Sequence, residues 1–267
     1  MALLTPVDEK PGRPRFLLPR RLKGWVLPLA LLLVWEVLSR RSHAYALAFV
    51  PLEQIAASLL EVLRSGELFN NLLASLGTAS SGLLIGGTLG LSLGSLMGLS
   101  RLADRLVGPV FHTVRQVPLL GWIPLIGLWF GNGSLAKTLV VCLASFYPMV
   151  LNTYEGLRNV EKNHLEVAQV LAASRWQTYR HILIPSALPF IFTGIFHALA
   201  FSWISTIGSE LLFTAGPGLG SLMQTAQMAA RMDIVIVCVA SIGVTGLLMN
   251  VSFTRFSRRL LRWRPTR

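Results

Sequence analysis

LLASLGTASSGLLIGGTLGLSLGSLMGL, residues 72–99, is an apolar stretch without one charged side chain. A helix of about 20 apolar residues crosses the hydrocarbon core of a bilayer, so this stretch predicts a transmembrane helix. Glycine recurs at every fourth position from Gly82 to Gly98, and such a stripe lets another helix backbone approach closely. The stripe indicates either tight packing inside the chain or a surface that moves in a functional cycle.

Five other apolar stretches predict further transmembrane helices, and the composition agrees with them. Of the 267 residues, 53% are hydrophobic and 13% are charged, whereas an average soluble domain carries about 25% charged residues. The first stretch follows basic residues, as in a signal peptide, but no small-residue cleavage site comes directly after it, which favours an uncleaved span. We therefore predict an all-α, polytopic membrane protein with six spans, at about 25–38, 72–99, 114–130, 135–154, 186–212 and 233–253.

The distribution of Lys and Arg predicts the orientation of the chain. Eighteen of the 24 lie before the first span, after the sixth, or in the connectors after the second and fourth spans, and five lie on the opposite side. Basic residues concentrate in cytoplasmic loops, so both termini are expected in the cytoplasm, and the net charge of +12 does not indicate nucleic-acid binding. We expect a basic cytoplasmic N-terminal segment, a six-helix transmembrane domain and a basic cytoplasmic C-terminal tail, at residues 1–23, 24–254 and 255–267.

Residues 51–69 differ from the spans because charged residues interrupt them. Leu52, Ile55 and Leu59 recur at helical spacing, with Glu53 and Glu61 between them or next to them. This pattern predicts an amphipathic helix that lies either on the membrane surface or against the protein itself.

Five polar or helix-breaking residues of the spans are candidates for a pathway or structural role. Pro118 and Pro124 interrupt the third span, and a broken helix at membrane depth must be covered by protein or by a water-filled path. Arg115, near the start of that span, either extends its side chain to the membrane surface or forms an ion pair or carbonyl contact. For His197, in the fifth span, and Glu210, at its end, a pathway role and a structural role both stay open.

The connector between the fourth and fifth spans, residues 158–182, is polar but carries apolar residues at helical spacing. Its sequence, RNVEKNHLEVAQVLAASRWQTYRHI, predicts two short amphipathic helices separated by Ala172-Ala173-Ser174. Pro185 then opens the fifth span, because proline is tolerated in the first turn of a helix. An exposed, partly apolar cytoplasmic element is typical of a docking surface for another protein.

This connector resembles the EAA loop of bacterial ABC-importer permeases. The resemblance is carried by Glu166-Val167-Ala168, Ala172-Ala173-Ser174, Ile184-Pro185 and Leu188-Pro189. Val167 replaces an alanine of that pattern, and Ala172 replaces its glycine. If the turn needs a positive φ, Ala172 is strained by about 1 kcal/mol.

Other segments are similar to the aliphatic-sulfonate, taurine and nitrate permeases of that family, namely Arg115–Pro118, Ile123–Leu125, Leu128–Gly131, Ser209-Glu210 and Gly218–Gly220. The resemblance implies the type I importer fold and a homodimer of permeases in the bacterial inner membrane. Two ATPase subunits, which bind ATP and Mg, would dock on the cytoplasmic side, and a periplasmic or lipid-anchored binding protein would deliver the solute. The implied ATPase-coupling residues are Glu166, Val167, Ala168, Ala172, Ala173 and Ser174.

The residues themselves indicate no catalysis by this chain. The sequence contains neither the phosphate loop G-x-x-x-x-G-K-[ST] nor the zinc pattern H-E-x-x-H, so we expect no catalytic residue, metal site or cofactor of its own. An intramembrane enzyme would need paired catalytic groups in its spans, and a stand-alone secondary transporter usually has internal repeats and buried coupling carboxylates. We expect a permease for a small organic anion, first of all an aliphatic sulfonate, with taurine, nitrate or another small solute as alternatives.

Overall fold

The computed structural model describes residues 20–41, 49–160, 162–213 and 215–260. Most of the expected N-terminal segment and the end of the expected C-terminal tail lie outside these residues. Within the described ranges every regular element is a helix, which confirms the predicted all-α class. The α-helices are α1 Arg20–Ser39, α2 Leu52–Arg64, α3 Glu67–Leu99, α4 Arg101–Val114, α5 Leu119–Phe130, α6 Ser134–Arg158, α7 Lys162–Val170, α8 Arg175–Thr178, α9 Ile184–Leu212, α10 Leu219–Met228 and α11 Met232–Leu260.

Helix α1 and the segment after it belong to a separate unit, residues 1–54. Within this unit the indole N–H of Trp35 donates a hydrogen bond to the carbonyl of Val50, at 2.9 Å. The Glu36 carboxylate accepts a hydrogen bond from the backbone N–H of Leu52 at 3.1 Å and pairs with Arg40 at 2.6 Å. These contacts hold Val50 and Leu52 against the end of α1. The second unit comprises residues 55–267.

Four of the six predicted spans are matched by helices long and apolar enough to cross a membrane. They are α3, α6, the continuous helical segment Arg175–Leu212 and α11. The first and third predicted spans correspond to shorter apolar helices, Val26–Ser39 and Leu119–Phe130. The described residues thus support a polytopic membrane protein, while the exact number of six spans stays a prediction.

The predicted third span, 114–130, is wrong at its start. Residues 101–114 form a separate amphipathic helix, α4, and the apolar helix α5 begins only at Leu119. Pro118 explains the break, because proline disfavours the helical conformation of the residue before it. The 12 residues of α5 rise about 18 Å, which is short of a bilayer core of about 30 Å.

The predicted amphipathic helix at 51–69 is also shorter than expected. Helix α2 ends at Arg64, because Gly66 adopts a left-handed conformation with φ 74° and α3 begins at Glu67. Ser58 and Val62 are buried against the chain, which matches the expectation of packing on the protein itself. The other side of α2 stays exposed and apolar, through Leu59, Leu60 and Leu63.

The glycine stripe of α3 packs along α6. A Cβ atom placed on Gly90 would lie 2.8 Å from the Cβ of Met149, and one on Gly94 would lie 2.6 Å from the carbonyl oxygen of Val150. Added Cβ atoms on Gly82, Gly86 and Gly98 would likewise meet α6. The stripe therefore serves close packing inside the chain, which was the first of its two interpretations.

Small residues also bring α6 close to α9. A Cβ on Gly156 would lie 2.7 Å from the Cβ of Phe190, and a Cβ on Gly194 would lie 2.9 Å from the Cβ of Asn152. Helices α3, α6 and α9 thus form a closely packed centre. Helix α10, which the apolar pattern did not predict, covers one end of this centre and buries Leu219 and Leu222 beside Trp203 of α9.

Candidate functional site

The 158–182 connector, called the coupling loop below, contains two short helices with a tight turn between them. Helix α7 ends in two hydrogen bonds that close back on it, from the N–H of Ala172 to the carbonyl of Gln169 at 3.0 Å and from the N–H of Ala173 to the carbonyl of Ala168 at 2.9 Å. This is the Schellman arrangement, and the position that Ala172 occupies in it is usually glycine. Ala172 has φ 50°, so its backbone adopts the positive φ under which strain at this alanine is expected.

Replacing Ala172 by glycine is therefore expected to stabilise the turn by about 1 kcal/mol, because glycine adopts a positive φ without steric cost. Amide hydrogen exchange of α7 should become roughly fivefold slower in the Ala172→Gly variant. Ala173→Gly is the matched control, since Ala173 lacks a positive φ and its replacement should speed exchange or leave it unchanged. Equal exchange rates in both variants would contradict strain at Ala172.

The second short helix, α8, begins with a capping box. The Ser174 hydroxyl accepts a hydrogen bond from the N–H of Gln177 at 3.3 Å, and the Gln177 side chain accepts one from the N–H of Ser174 at 2.8 Å. Helix α8 then runs through the π-helical turn Tyr179–Leu183 into α9 without a break. Helix α9 begins at Ile184, so Pro185 lies in its first turn as expected, and the coupling loop continues into α9 through the π-helical turn.

The coupling loop exposes an unusual amount of apolar surface. Val170 is 86% and Leu171 73% exposed, and Val167 and Trp176 are exposed as well. Glu166 is exposed on the same helix as Val167, whereas Ala168 of that helix is buried. Apolar groups that a chain leaves uncovered in a polar segment mark a contact with another molecule. We call Val167, Val170, Leu171 and Trp176 the apolar face of the loop.

A buried polar cluster surrounds Glu210, at the end of α9 farthest from the coupling loop. The Ser75 hydroxyl lies 2.8 Å from both carboxylate oxygens and donates to them, and the backbone N–H of Gly220 donates to the carboxylate at 2.9 Å. The N–H of Leu219 donates to the Ser75 hydroxyl at 2.9 Å. Glu210 thus accepts hydrogen bonds from the first turn of α10 and from α3, and it links these two helices to the end of α9.

Lys137 supplies a positive charge to the same cluster. Its ammonium group, also buried, donates to the Ser221 hydroxyl at 3.4 Å, and that hydroxyl donates to the backbone carbonyl of Glu210 at 3.4 Å. Gly218 and Gly220, which follow Glu210 in the sequence, leave the space that the Glu210 side chain occupies. A Cβ on Gly218 would lie 2.6 Å from a carboxylate oxygen of Glu210, and a Cβ on Gly220 would lie 2.7 Å from its Cβ.

The remaining candidate pathway residues lie on separate elements. Arg115 is half-buried at the end of α4, and its Nε has no hydrogen-bond partner within the described residues. Pro118 precedes α5 and Pro124 lies within it. His197 is exposed on α9, thirteen residues before Glu210, which is about 20 Å along the helix axis. The structure therefore does not gather the five candidates into one site.

Sequence reasoning missed a second polar cluster, which fastens α2 to the start of α11. Arg231 pairs with Asp233 and with Glu61, both at 2.8 Å, and the Ser58 hydroxyl donates to the Asp233 carboxylate. The hydrogen bond with Asp233 raises the pKa of the Arg231 guanidinium further above its ordinary value, so it stays charged. Ser58 and Asp233 are 175 residues apart, and no local pattern in the sequence links them.

Comparison with known proteins identifies relatives over almost the whole chain. An aliphatic sulfonates transport permease protein of Bacillus subtilis is 32% identical, with 97% of this chain and 92% of that protein covered. The corresponding protein of Escherichia coli is 34% identical over 92% of this chain and 93% of that protein. The taurine transport system permease protein of Escherichia coli is 31% identical over 91% of this chain and 94% of that protein.

The fold has a counterpart among solved structures. The crystal structure of an amino acid ABC transporter with histidines aligns with a TM-score of 0.64 at 19% identity, covering 75% of this chain and 97% of that chain. The sequence profile of the binding-protein-dependent transport system inner membrane components matches residues 82–262. Such a component is the multi-pass permease of an ABC importer for small solutes, with ATP hydrolysis on a separate subunit and a substrate-binding protein as partner. The chain therefore belongs to the family of binding-protein-dependent transport system inner membrane components.

Proposed function

We propose that this permease carries an aliphatic sulfonate across the inner membrane. The observation that supports this substrate is the likeness to two aliphatic sulfonates permeases over more than nine-tenths of the chain. Taurine, nitrate or another small solute is the alternative within the same group of relatives. A stand-alone secondary transporter is disfavoured, since the family works with a binding protein.

The proposed assembly is a homodimer with both termini in the cytoplasm. The division at residues 1–23, 24–254 and 255–267 then separates two basic cytoplasmic ends from a six-helix transmembrane domain. The excess of Lys and Arg on one side supports this orientation. Because α9 runs from the coupling loop to Glu210, the same orientation puts the loop in the cytoplasm and the Glu210 cluster at the outer side.

Two ATPase subunits, which supply the ATP and Mg sites, would dock on the two coupling loops. The apolar face supplies the contact area, and Glu166 adds a charged contact at its edge. Ala168, Ala172, Ala173 and Ser174 act indirectly, because they hold the turn between α7 and α8. Of the six residues expected to couple to the ATPase, Glu166 and Val167 are therefore the proposed direct contacts.

The proposed mechanism is alternating access without covalent chemistry in this chain. ATP-driven closure of the ATPase dimer pulls the two coupling loops together. Since Arg175–Leu212 is one continuous helical segment, a displacement of the loop reaches α9 directly. Helices α3 and α6 are packed tightly on one another, and α6 on α9, so they move with it and the path opens to the outside.

Val170→Asp is expected to weaken docking of the ATPase strongly. Burial of a valine side chain in an interface stabilises it by about 2 kcal/mol, and a desolvated aspartate adds a further cost, so affinity should fall at least roughly 30-fold. Val170 is 86% exposed in the chain, and its replacement should leave the permease folded. Co-purification of the ATPase and ATP hydrolysis by the reconstituted complex measure the effect.

Met228→Asp is the matched control, because Met228 is 77% exposed but lies on α10, away from the loop. The Met228→Asp permease should retain the ATPase. The Glu166→Gln permease should also retain it, with a smaller loss of coupling than Val170→Asp causes. Full ATPase recovery with Val170→Asp would remove the apolar face from the proposal. In the intact complex with its binding protein, an alkanesulfonate should stimulate hydrolysis, and stimulation by nitrate alone would reject the sulfonate.

A further inference from the structure

Helices α9 and α11 enclose a groove whose two ends differ in chemistry. At one end a cavity of about 310 Å³ is lined by Thr193 of α9 and by Thr254, Ser257 and Arg258 of α11, above the rings of phenylalanines from both helices. A second cavity of about 210 Å³ adjoins it and is lined almost entirely by apolar side chains. Phe196 borders both cavities, so they lie next to each other along the two helices and are together called the α9–α11 groove.

The groove is closed at its apolar end and open at its charged end. Trp203 fills the space between the helices there, and its indole N–H donates to the carbonyl of Ile242 at 3.2 Å. Its ring also lies 3.2 Å from a Cβ placed on Gly246. From Gly246 to Arg258 there are twelve residues of continuous helix, which rise about 18 Å. This length is close to one leaflet of a bilayer, which is about 15 Å of hydrocarbon.

We propose that the α9–α11 groove binds one anionic phospholipid of the cytoplasmic leaflet. The headgroup phosphate contacts Arg258 and the neighbouring hydroxyls, and an acyl chain lies along Phe192, Phe196 and Ile204. Basic pockets between transmembrane helices on the cytoplasmic side are suited to anionic headgroups. The buried acyl chain adds the gain of transferring methylene groups onto an apolar surface.

This inference rests on the proposed topology, which places the end of α11 at the cytoplasmic surface. The charged end of the groove then lies at headgroup level and the closed end near the middle of the membrane. A soluble anion would match Arg258 but leave the apolar cavity without an occupant. A phospholipid satisfies both halves of the groove at once.

Native mass spectrometry of the intact permease–ATPase complex tests the proposal, with phosphatidylglycerol and phosphatidylcholine as probes. Arg258→Gln should weaken phosphatidylglycerol binding about fivefold and leave phosphatidylcholine unchanged. Arg259→Gln removes the same charge from the next residue, which does not line the groove, and should change neither lipid. Equal losses in both variants would mean a general attraction to the basic helix end and would overturn the site.

Ala200→Phe tests the apolar half, because Ala200 lines the second cavity. The larger side chain should occupy the groove and lower the binding of both lipids. If it instead separates the permease copies while bound lipid is unchanged, the groove is a contact between protein chains and the lipid proposal is wrong. The ATPase peaks in the same spectra report on the importer assembly independently, so loss of the lipid site and failure of the proposed function are distinguishable.

Discussion

Glu210→Ala is expected to destabilise the permease by about 3 kcal/mol, the cost of leaving buried hydrogen-bond donors without an acceptor. The substitution takes the acceptor from the N–H of Gly220 and from the Ser75 hydroxyl, and it removes the negative charge of the buried cluster that contains Lys137. It also opens a space between Gly218 and α9 that only the carboxylate fills. The thermal unfolding midpoint in detergent should fall by about 10 °C.

Charge compensation can be separated from hydrogen bonding in this cluster. Glu210→Gln keeps an acceptor for the N–H of Gly220 but removes the negative charge near Lys137. It should therefore destabilise the permease, but less than Glu210→Ala does. Lys137→Met should also destabilise alone, whereas the double variant should regain part of the loss, since both charges are then removed. Additive effects of the two substitutions would show that Lys137 does not compensate Glu210.

The sequence is informative about single elements and weak about contacts between them. The apolar runs and the glycine spacing of α3 identified a membrane helix and the side on which another backbone packs, but a stripe names no partner. The structure supplies α6 as that partner, through Met149 and Val150. The third span was misjudged because counting apolar residues ignores where Pro118 divides them into two helices.

The candidate site was predicted in part, for the same reason. The small residues of the coupling loop marked its turn, and a left-handed Ala172 follows from local chain geometry. Glu210 was noticed as an ionisable group at the end of the fifth predicted span, but its partner Ser75 and the neighbouring Lys137 come from helices far away in sequence. Helix α10 escaped prediction because its ten residues mix polar and apolar side chains.

Gly90→Leu is expected to prevent α3 from packing on α6. A Cβ at this position already lies 2.8 Å from both the Cβ of Met149 and the carbonyl oxygen of Phe146. The carbonyl oxygen of Phe146 belongs to the backbone and cannot move aside as a side chain can. The two helices must therefore separate along much of their length. Overpacking of this kind costs about 3 kcal/mol, the upper end of the usual range, when the backbone has to move. We expect little folded protein by size-exclusion chromatography and a strongly lowered melting midpoint.

Gly87→Leu provides the matched control on the same helix. It also replaces a glycine by leucine, but a Cβ on Gly87 meets no atom within 4 Å. The two variants gain equal hydropathy, so a difference between them reports packing alone. Gly90→Ala should fall between Gly90→Leu and the unchanged protein, because its single methyl group already collides with α6. If Gly90→Leu and Gly87→Leu melt at the same temperature, close approach of α3 and α6 does not stabilise the fold, and the stripe would have to be reassigned to a surface that faces lipid or moves during transport.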